Sequence, residues 1–270
     1  MAMALLAGAG LSIAGLLMQT LFNNPLAGPY VLGINSGSSL FVAFTFMTGI
    51  PLLATDIGIV SAALIGAFVF GMIILSFSYV VRSHISLLLI GLMLGSFTSA
   101  LVYILQTASN SNELKAFTMW VMGSLQNVEL SQLPIICSLF LLGTCTSFFI
   151  IKPLNVLVIG EKDAKLLGIN YRSIRMIIII ITALLTGLIT AYCGPIAFVG
   201  LAVPNLVKII FKTQNHLILL FSSMLIGGNF ILICDILIQL LEKNISLPIN
   251  AITSLIGAPF IVFIVLKRMA

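Results

Sequence analysis

Nine apolar runs, separated by short polar or proline-marked breaks, set the pattern of this chain. They lie at about 1–22, 30–48, 52–81, 85–107, 130–151, 174–193, 196–211, 216–241 and 249–266. Most reach the roughly 17–25 residues that an α-helix needs to cross a bilayer. Asn23-Asn24-Pro25 ends the first run, Arg82 the third, Lys152-Pro153 the fifth and Gly194-Pro195 the sixth. The seventh run is short and contains Pro204. Two polar stretches, 108–129 and 160–175, stand outside the runs. The pattern predicts an all-α fold: one polytopic transmembrane helical bundle over residues 1–270, with about nine spans.

Composition agrees with the pattern. The chain is 60% hydrophobic and 7% charged, with a mean hydropathy of +1.25. A soluble domain carries about 25% charged residues, so lipid is the main solvent here. The net charge of +5 is not a nucleic-acid footprint, because the basic residues sit in small groups beside apolar runs. They have a topological role instead. Nine crossings put the termini on opposite sides. With the C-terminus inside, Arg82, Lys152, Lys162, Lys165, Arg172, Arg175, Lys208, Lys212, Lys267 and Arg268 are cytoplasmic, and only Lys115 and Lys243 are outside. That is the positive-inside bias. No basic region precedes the first run, so it does not read as a signal peptide.

Small residues recur four apart: Gly10 and Ala14, Gly33 and Gly37, Ala62 and Gly66, Ala67 and Gly71, Gly91 and Gly95. In lipid such faces let helix backbones approach closely, so tight packing is expected.

Candidate chemistry is sparse. Cys137, Cys145, Cys193 and Cys234 stand singly, with no metal-binding or redox spacing. His84 and His216 lie beside basic loops and do not form a ligand set. No metal or cofactor is expected. There is no Walker A motif, so energy must come from a separate subunit or an ion gradient. Asp235 is the only acid well inside a run. Such a residue is a functional candidate by default; helix–helix hydrogen bonding is its expected role. Gln19, one turn inside the first span, is placed to bond across the bundle, a contribution of around 1 kcal/mol. Asn24-Pro25 breaks the first span at the cytoplasmic face and suits either a turn or a gate. Gly194-Pro195 interrupts the backbone near a short half-helix. Broken backbone at membrane depth requires protein or a water cavity to satisfy it, which suits a translocation path, its outer mouth or a plain outer loop. Read as a helix, 160–170 puts Ala164, Leu167 and Gly168 on one face, with Glu161, Lys162 and Lys165 around the rest. Gly168 can end it.

Five blocks then carry a resemblance. Gly15 through Gln19, Asn24-Pro25-Leu26-Ala27, Pro29 and Leu32-Gly33 is similar to G-x-x-x-Q-x-x-x-x-N-P-L-A-x-P-x-x-L-G. Trp120 with Gly123-Ser124-Leu125 follows. Next come Gly160, Ala164 and Leu167-Gly168, and then Gly194-Pro195-Ile196 through Phe198-Val199-Gly200-Leu201 and Pro204. Asp235, Leu247-Pro248, Thr253 and Gly257-Ala258-Pro259 close the series. In this order the blocks resemble the FecCD-type permeases of type II ABC importers.

The resemblance implies a permease subunit without catalytic residues in the bacterial cytoplasmic membrane. Its partners would be ABC ATPase subunits, an extracytoplasmic substrate-binding protein and a second permease subunit, identical or not. The cargo would be a ferric siderophore or, alternatively, haem or cobalamin. An ion-coupled secondary transporter is the competing class. Gly160, Glu161, Ala164, Leu167 and Gly168 would form the cytoplasmic coupling helix. Gln19, Asn24, Pro25, Gly194, Pro195 and Asp235 would belong to the gate or path. The chain is expected to match the family's ten-helix fold from its second helix onward. It departs from the family at Asn205 and Lys208, where P-H-x-x-R is usual, at Gln239, where an outer arginine is common, and at Ser246, where an acid is usual.

Overall fold

A computed structural model describes residues 1–30, 32–48, 55–81, 84–126, 128–160, 164, 166–241 and 247–269. Every apolar run becomes helix, and no strand occurs among the described residues. The helices are α1 (Ala2–Leu21), α2 (Ile34–Met47), α3 (Asp56–Val80), α4 (His84–Ala108), α5 (Ser111–Met122), α6 (Leu133–Phe149), α7 (Ile151–Leu157), α8 (Tyr171–Cys193), α9 (Val199–Phe211), α10 (His216–Leu241) and α11 (Ile249–Met269).

By length and composition, α1, α3, α4, α8 and α10 are able to cross a bilayer. The pair α6 and α7 makes a sixth span if taken together, bent by 57° at its break. Pro153 explains the bend, because it lacks the N–H that would reach the Phe149 carbonyl. The apolar helices α2 and α9 have only 14 and 13 residues, roughly 20 Å each at 1.5 Å per residue. That is short of a ~30 Å hydrocarbon core. Both begin beside the middle of a longer helix. Gly33, just before α2, lies against Gly91 and Gly95 of α4, and Gly200 of α9 lies against Leu11 and Gly15 of α1. Of the nine expected spans, the second and the short seventh correspond to these two short helices.

Helix α1 is the axis of the bundle. It is buried without interruption from Ala7 to Leu21 and packs against α6, α7, α8, α9 and α10. Small residues make this possible. A Cβ on Gly8 would collide with the backbone of Gly227, and one on Gly15 with the backbone of Gly200. The same holds for Gly37 against Gly66, where α2 crosses α3. Ser38 strengthens that crossing by donating to the Ala63 carbonyl at 2.9 Å. Large side chains such as Phe68, Phe97, Leu141 and Phe221 point outward, as a lipid-facing surface requires.

Two boundaries differ from the sequence reading. The polar stretch 108–129 contains α5, whose start is fixed by a capping box between Asn110 and Glu113. The basic stretch 160–175 yields its last turn to α8, which begins at Tyr171 with Asn170 accepting from the Ser173 N–H. Arg172 and Arg175 thus belong to a helix, stacked over Tyr79 and Tyr171 at 5.3 and 5.2 Å. Arg175 also donates to the Ser78 carbonyl at the end of α3.

Candidate translocation path and coupling face

The end of the bundle that carries Lys208 and Lys212 holds two polar clusters. In the first, Gln19 donates to the Leu201 carbonyl at 3.2 Å and accepts from Lys208 Nζ at 2.9 Å. Asn205 donates to the carbonyls of Pro25 and Leu201, both at 2.8 Å. The chain after α1 therefore runs back up along α9, from Pro25 beside Asn205 to Pro29 beside Gly200. Asn24 makes a turn: its Oδ1 accepts from the Leu26 N–H at 2.9 Å, and its carbonyl accepts from Ala27. The expected members Gln19, Asn24 and Pro25 are brought together here. Asn205 and Lys208, which the sequence singled out only as departures, are the residues that hold them.

The second cluster was not foreseen. His216, 1% exposed, places Nε2 2.8 Å from Thr20 Oγ1 and Nδ1 2.9 Å from Asn155 Oδ1. The His216 backbone N–H donates to the same Asn155 oxygen at 2.8 Å. One imidazole thereby ties α7, α1 and the start of α10 together. The available signal was the pairing of a helix-opening histidine with Asn155 inside an otherwise apolar segment.

Helix α7 leads directly into the expected coupling segment. Ala164 N–H reaches the Gly160 carbonyl, and Ile169 N–H reaches that of Ala164. Gly160 and Gly168 both hold positive φ, +119° and +80°, which favours glycine. The shared face expected for Ala164, Leu167 and Gly168 is not formed. Ala164 is fully buried in the bundle core, whereas Leu166 and Leu167 are 85% and 63% exposed. Glu161 lies outside the described residues. The elbow is thus anchored by its small residue and presents a leucine pair outward.

Gly194 and Pro195 lie deep in the fold. Gly194 (φ +74°) packs against the Trp120 carbonyl and Gly123, and Ser124 N–H donates to the Cys193 carbonyl at 3.0 Å. This backbone crossing gives the Trp120-Gly123-Ser124 block its structural meaning. Phe198 (φ +66°) then opens α9, and Asn250 accepts from the Ala197 N–H at 3.1 Å. Pro195 borders a cavity formed with α2, α4 and α5, so the broken backbone faces a lined space.

Asp235 sits apart from both clusters. It is buried, and Gln239 donates to its Oδ2 at 3.1 Å from one turn further along α10. That hydrogen bond stays within α10. The Met1 amine lies 3.9 Å from the same oxygen. Asp235 borders a second cavity of about 290 Å³ with Gly123, Ser124 and Pro248.

Comparison with known proteins accounts for this arrangement. The profile of the FecCD transport family matches residues 1–267. The chain belongs to the FecCD transport family. A FecCD relative in Bacillus subtilis, the uncharacterized ABC transporter permease protein YvrB, is 36% identical over 98% of this chain and 76% of its own length. The hemin transport system permease protein HmuU of Yersinia pestis is 33% identical over 98% of this chain and 80% of its own. Relatives named for molybdate and vitamin B12 import match at 34% and 33% identity. A solved transporter described as of the metal-chelate ABC type, in an inward-facing conformation, superposes with a TM-score of 0.90. It is 32% identical and covers 98% of this chain and 84% of that one. This FecCD protein is accordingly an ABC importer permease, a multi-pass protein of the bacterial cytoplasmic membrane.

Proposed function

We propose that this permease carries an iron chelate inward, driven by ATPase subunits that dock on the 160–168 elbow. A second permease subunit would complete the passage, and an extracytoplasmic binding protein would deliver the cargo. The observation that carries this reading is the exposed Leu166-Leu167 pair on an elbow anchored through Ala164. An exposed apolar pair at a cytoplasmic bend fits a partner cleft better than water.

The contacts give the elbow a route into the bundle. Nucleotide-driven closure of the ATPases pushes on Leu166 and Leu167. Ala164 passes the displacement to the core, and α7 passes it through Asn155 and His216 to Thr20 on α1. At the same end, Gln19 and Asn205 link α1 and the segment around Pro25 to α9. A shift of the elbow thus moves the half-helix α9 against α1 at the middle of the bundle.

The test is co-purification. The wild-type chain, tagged and extracted from its native membranes, brings down an ATPase that hydrolyses ATP. Leu166→Glu combined with Leu167→Glu abolishes that association while membrane insertion and thermal stability are unchanged. Retained association in this double variant rejects the elbow as the docking face. Haem is the second reading for the cargo, supported by the similarity to HmuU.

A further inference from the structure

We propose that the seam between α3 and α8 binds one anionic phospholipid, with its phosphate on Arg172 and Arg175 and an acyl chain along the groove that leads away from them. This site goes beyond the transport reading and depends neither on the cargo nor on the ATPase.

The two helices pack side by side and run in opposite directions. Tyr79, near the end of α3, reaches Met176, near the start of α8, with its hydroxyl 3.8 Å from the sulfur. Further in, a Cβ on Gly71 would come to 3.0 Å from Ala183, so the backbones lie close there. A shallow apolar groove follows this contact. Leu75, Ile179 and Ala183 are buried and make its floor, while Phe68 and Met72 on one helix and Ile180 on the other are exposed and make its rims. Phe68, Met72, Leu75 and Tyr79 share one face of α3 by helical spacing, as Arg172, Met176, Ile179 and Ala183 do on α8. The groove is therefore continuous with the Tyr79–Arg172 stack. From Phe68 to Tyr79 it runs about 17 Å at ~1.5 Å per residue. That is close to half of a ~30 Å hydrocarbon core, the depth of one leaflet.

Positive charge stands at the mouth of the groove. Arg172 is exposed, with its guanidinium 5.3 Å over the Tyr79 ring. Arg175, one turn on, is only 8% exposed and donates to the carbonyl of Ser78, the neighbour of Tyr79. Its Nε has no hydrogen-bond partner among the described residues. Neither arginine has an ion-pair partner among those residues, and no acidic side chain lines the groove. Buried polar groups are normally paired, so a buried guanidinium with a spare donor calls for an acceptor. The guanidinium fork matches a phosphate, and basic sites between helices at a membrane surface suit anionic head groups. A free phosphate would use the arginines and leave the groove empty; an uncharged chain would do the reverse. An anionic phospholipid uses both, whereas the cationic head of a zwitterionic lipid would be brought toward the two arginines.

Trp120 is the single tryptophan of the chain, so Trp120→Phe provides a dark background. In it, Phe68→Trp places a reporter on the groove rim, and Leu141→Trp, on the lipid-facing side of α6, is the control. The full-length permease is reconstituted into phosphatidylcholine vesicles containing increasing shares of phosphatidylglycerol or phosphatidylcholine with brominated acyl chains, which quench on contact. The expected result is saturable quenching at the Phe68→Trp reporter with a preference of about tenfold for phosphatidylglycerol, and no preference at the control. Arg172→Gln, a change at an exposed position, lowers that preference by about fivefold, the effect of one basic side chain at an anionic surface. Arg172→Lys keeps the preference, and so does an excess of sodium phosphate. Equal quenching by the two lipids at Phe68→Trp overturns the site, as does an equal preference at both reporters or a preference unchanged by Arg172→Gln. Loss of the preference on adding phosphate assigns the arginines to a free anion, and loss on binding of the ATPase subunits assigns them to a protein interface; either result overturns the lipid.

Discussion

Asn205 shows how much one side chain holds at the basic end of the bundle. It donates to two carbonyls on different segments, those of Pro25 and Leu201. Asn205→Leu removes both bonds and leaves the part-buried Pro25 carbonyl without this donor. Each group left unsatisfied costs about 1–3 kcal/mol. Thermal unfolding of the solubilised permease should fall accordingly, whereas Asn229→Leu on the exposed side of α10 should change it little. At this scale the sequence was only partly legible. Gln19, Asn24 and Pro25 stood out because polar residues and proline are rare in apolar runs. Their partners Asn205 and Lys208 lie some 180 residues further on in the chain, and spacing alone cannot bring such residues together. The His216–Asn155–Thr20 cluster was hidden for the same reason.

The helices pack through glycines, and the glycines are not equivalent. Gly15 lies against the backbone of Gly200, which cannot give way. Gly28, by contrast, would bring a Cβ no closer than 3.8 Å to Leu201. Gly15→Leu should therefore destabilise the bundle by at least the 1–3 kcal/mol typical of overpacking. Gly28→Ala should be neutral or stabilising by up to about 1 kcal/mol, through the unfolded chain. Unfolding midpoints of the two variants check the contrast. Helix identity was legible from the apolar runs, because a chain in lipid must satisfy its backbone internally. Helix α5 was not, because its charged and polar residues masked it; the Asn110–Glu113 cap was the readable sign. The shortness of α9 was legible from the Gly194-Pro195 break, whereas that of α2 was hidden, since the apolar run 30–48 begins before the helix does.

Across the whole molecule, two short helices begin at the middle of the bundle, and an elbow anchored by Ala164 leaves its basic end. Family blocks identified both regions, yet they did not reveal which way the elbow faces. Ala164 was expected to share a face with Leu167, and it is buried while Leu167 is exposed. A motif match names residues, while burial decides which of their atoms are accessible to a partner.

We propose that ATP consumed by a bound partner drives cargo through this permease. Uptake of a labelled ferric trihydroxamate into vesicles, reconstituted with the permease, its ATPase and the cognate binding protein, measures this most directly. Accumulation that requires ATP and disappears when Leu166 and Leu167 are both replaced by glutamate is the predicted result. Accumulation driven by a proton or sodium gradient without ATP, or left intact by the double replacement, would contradict it.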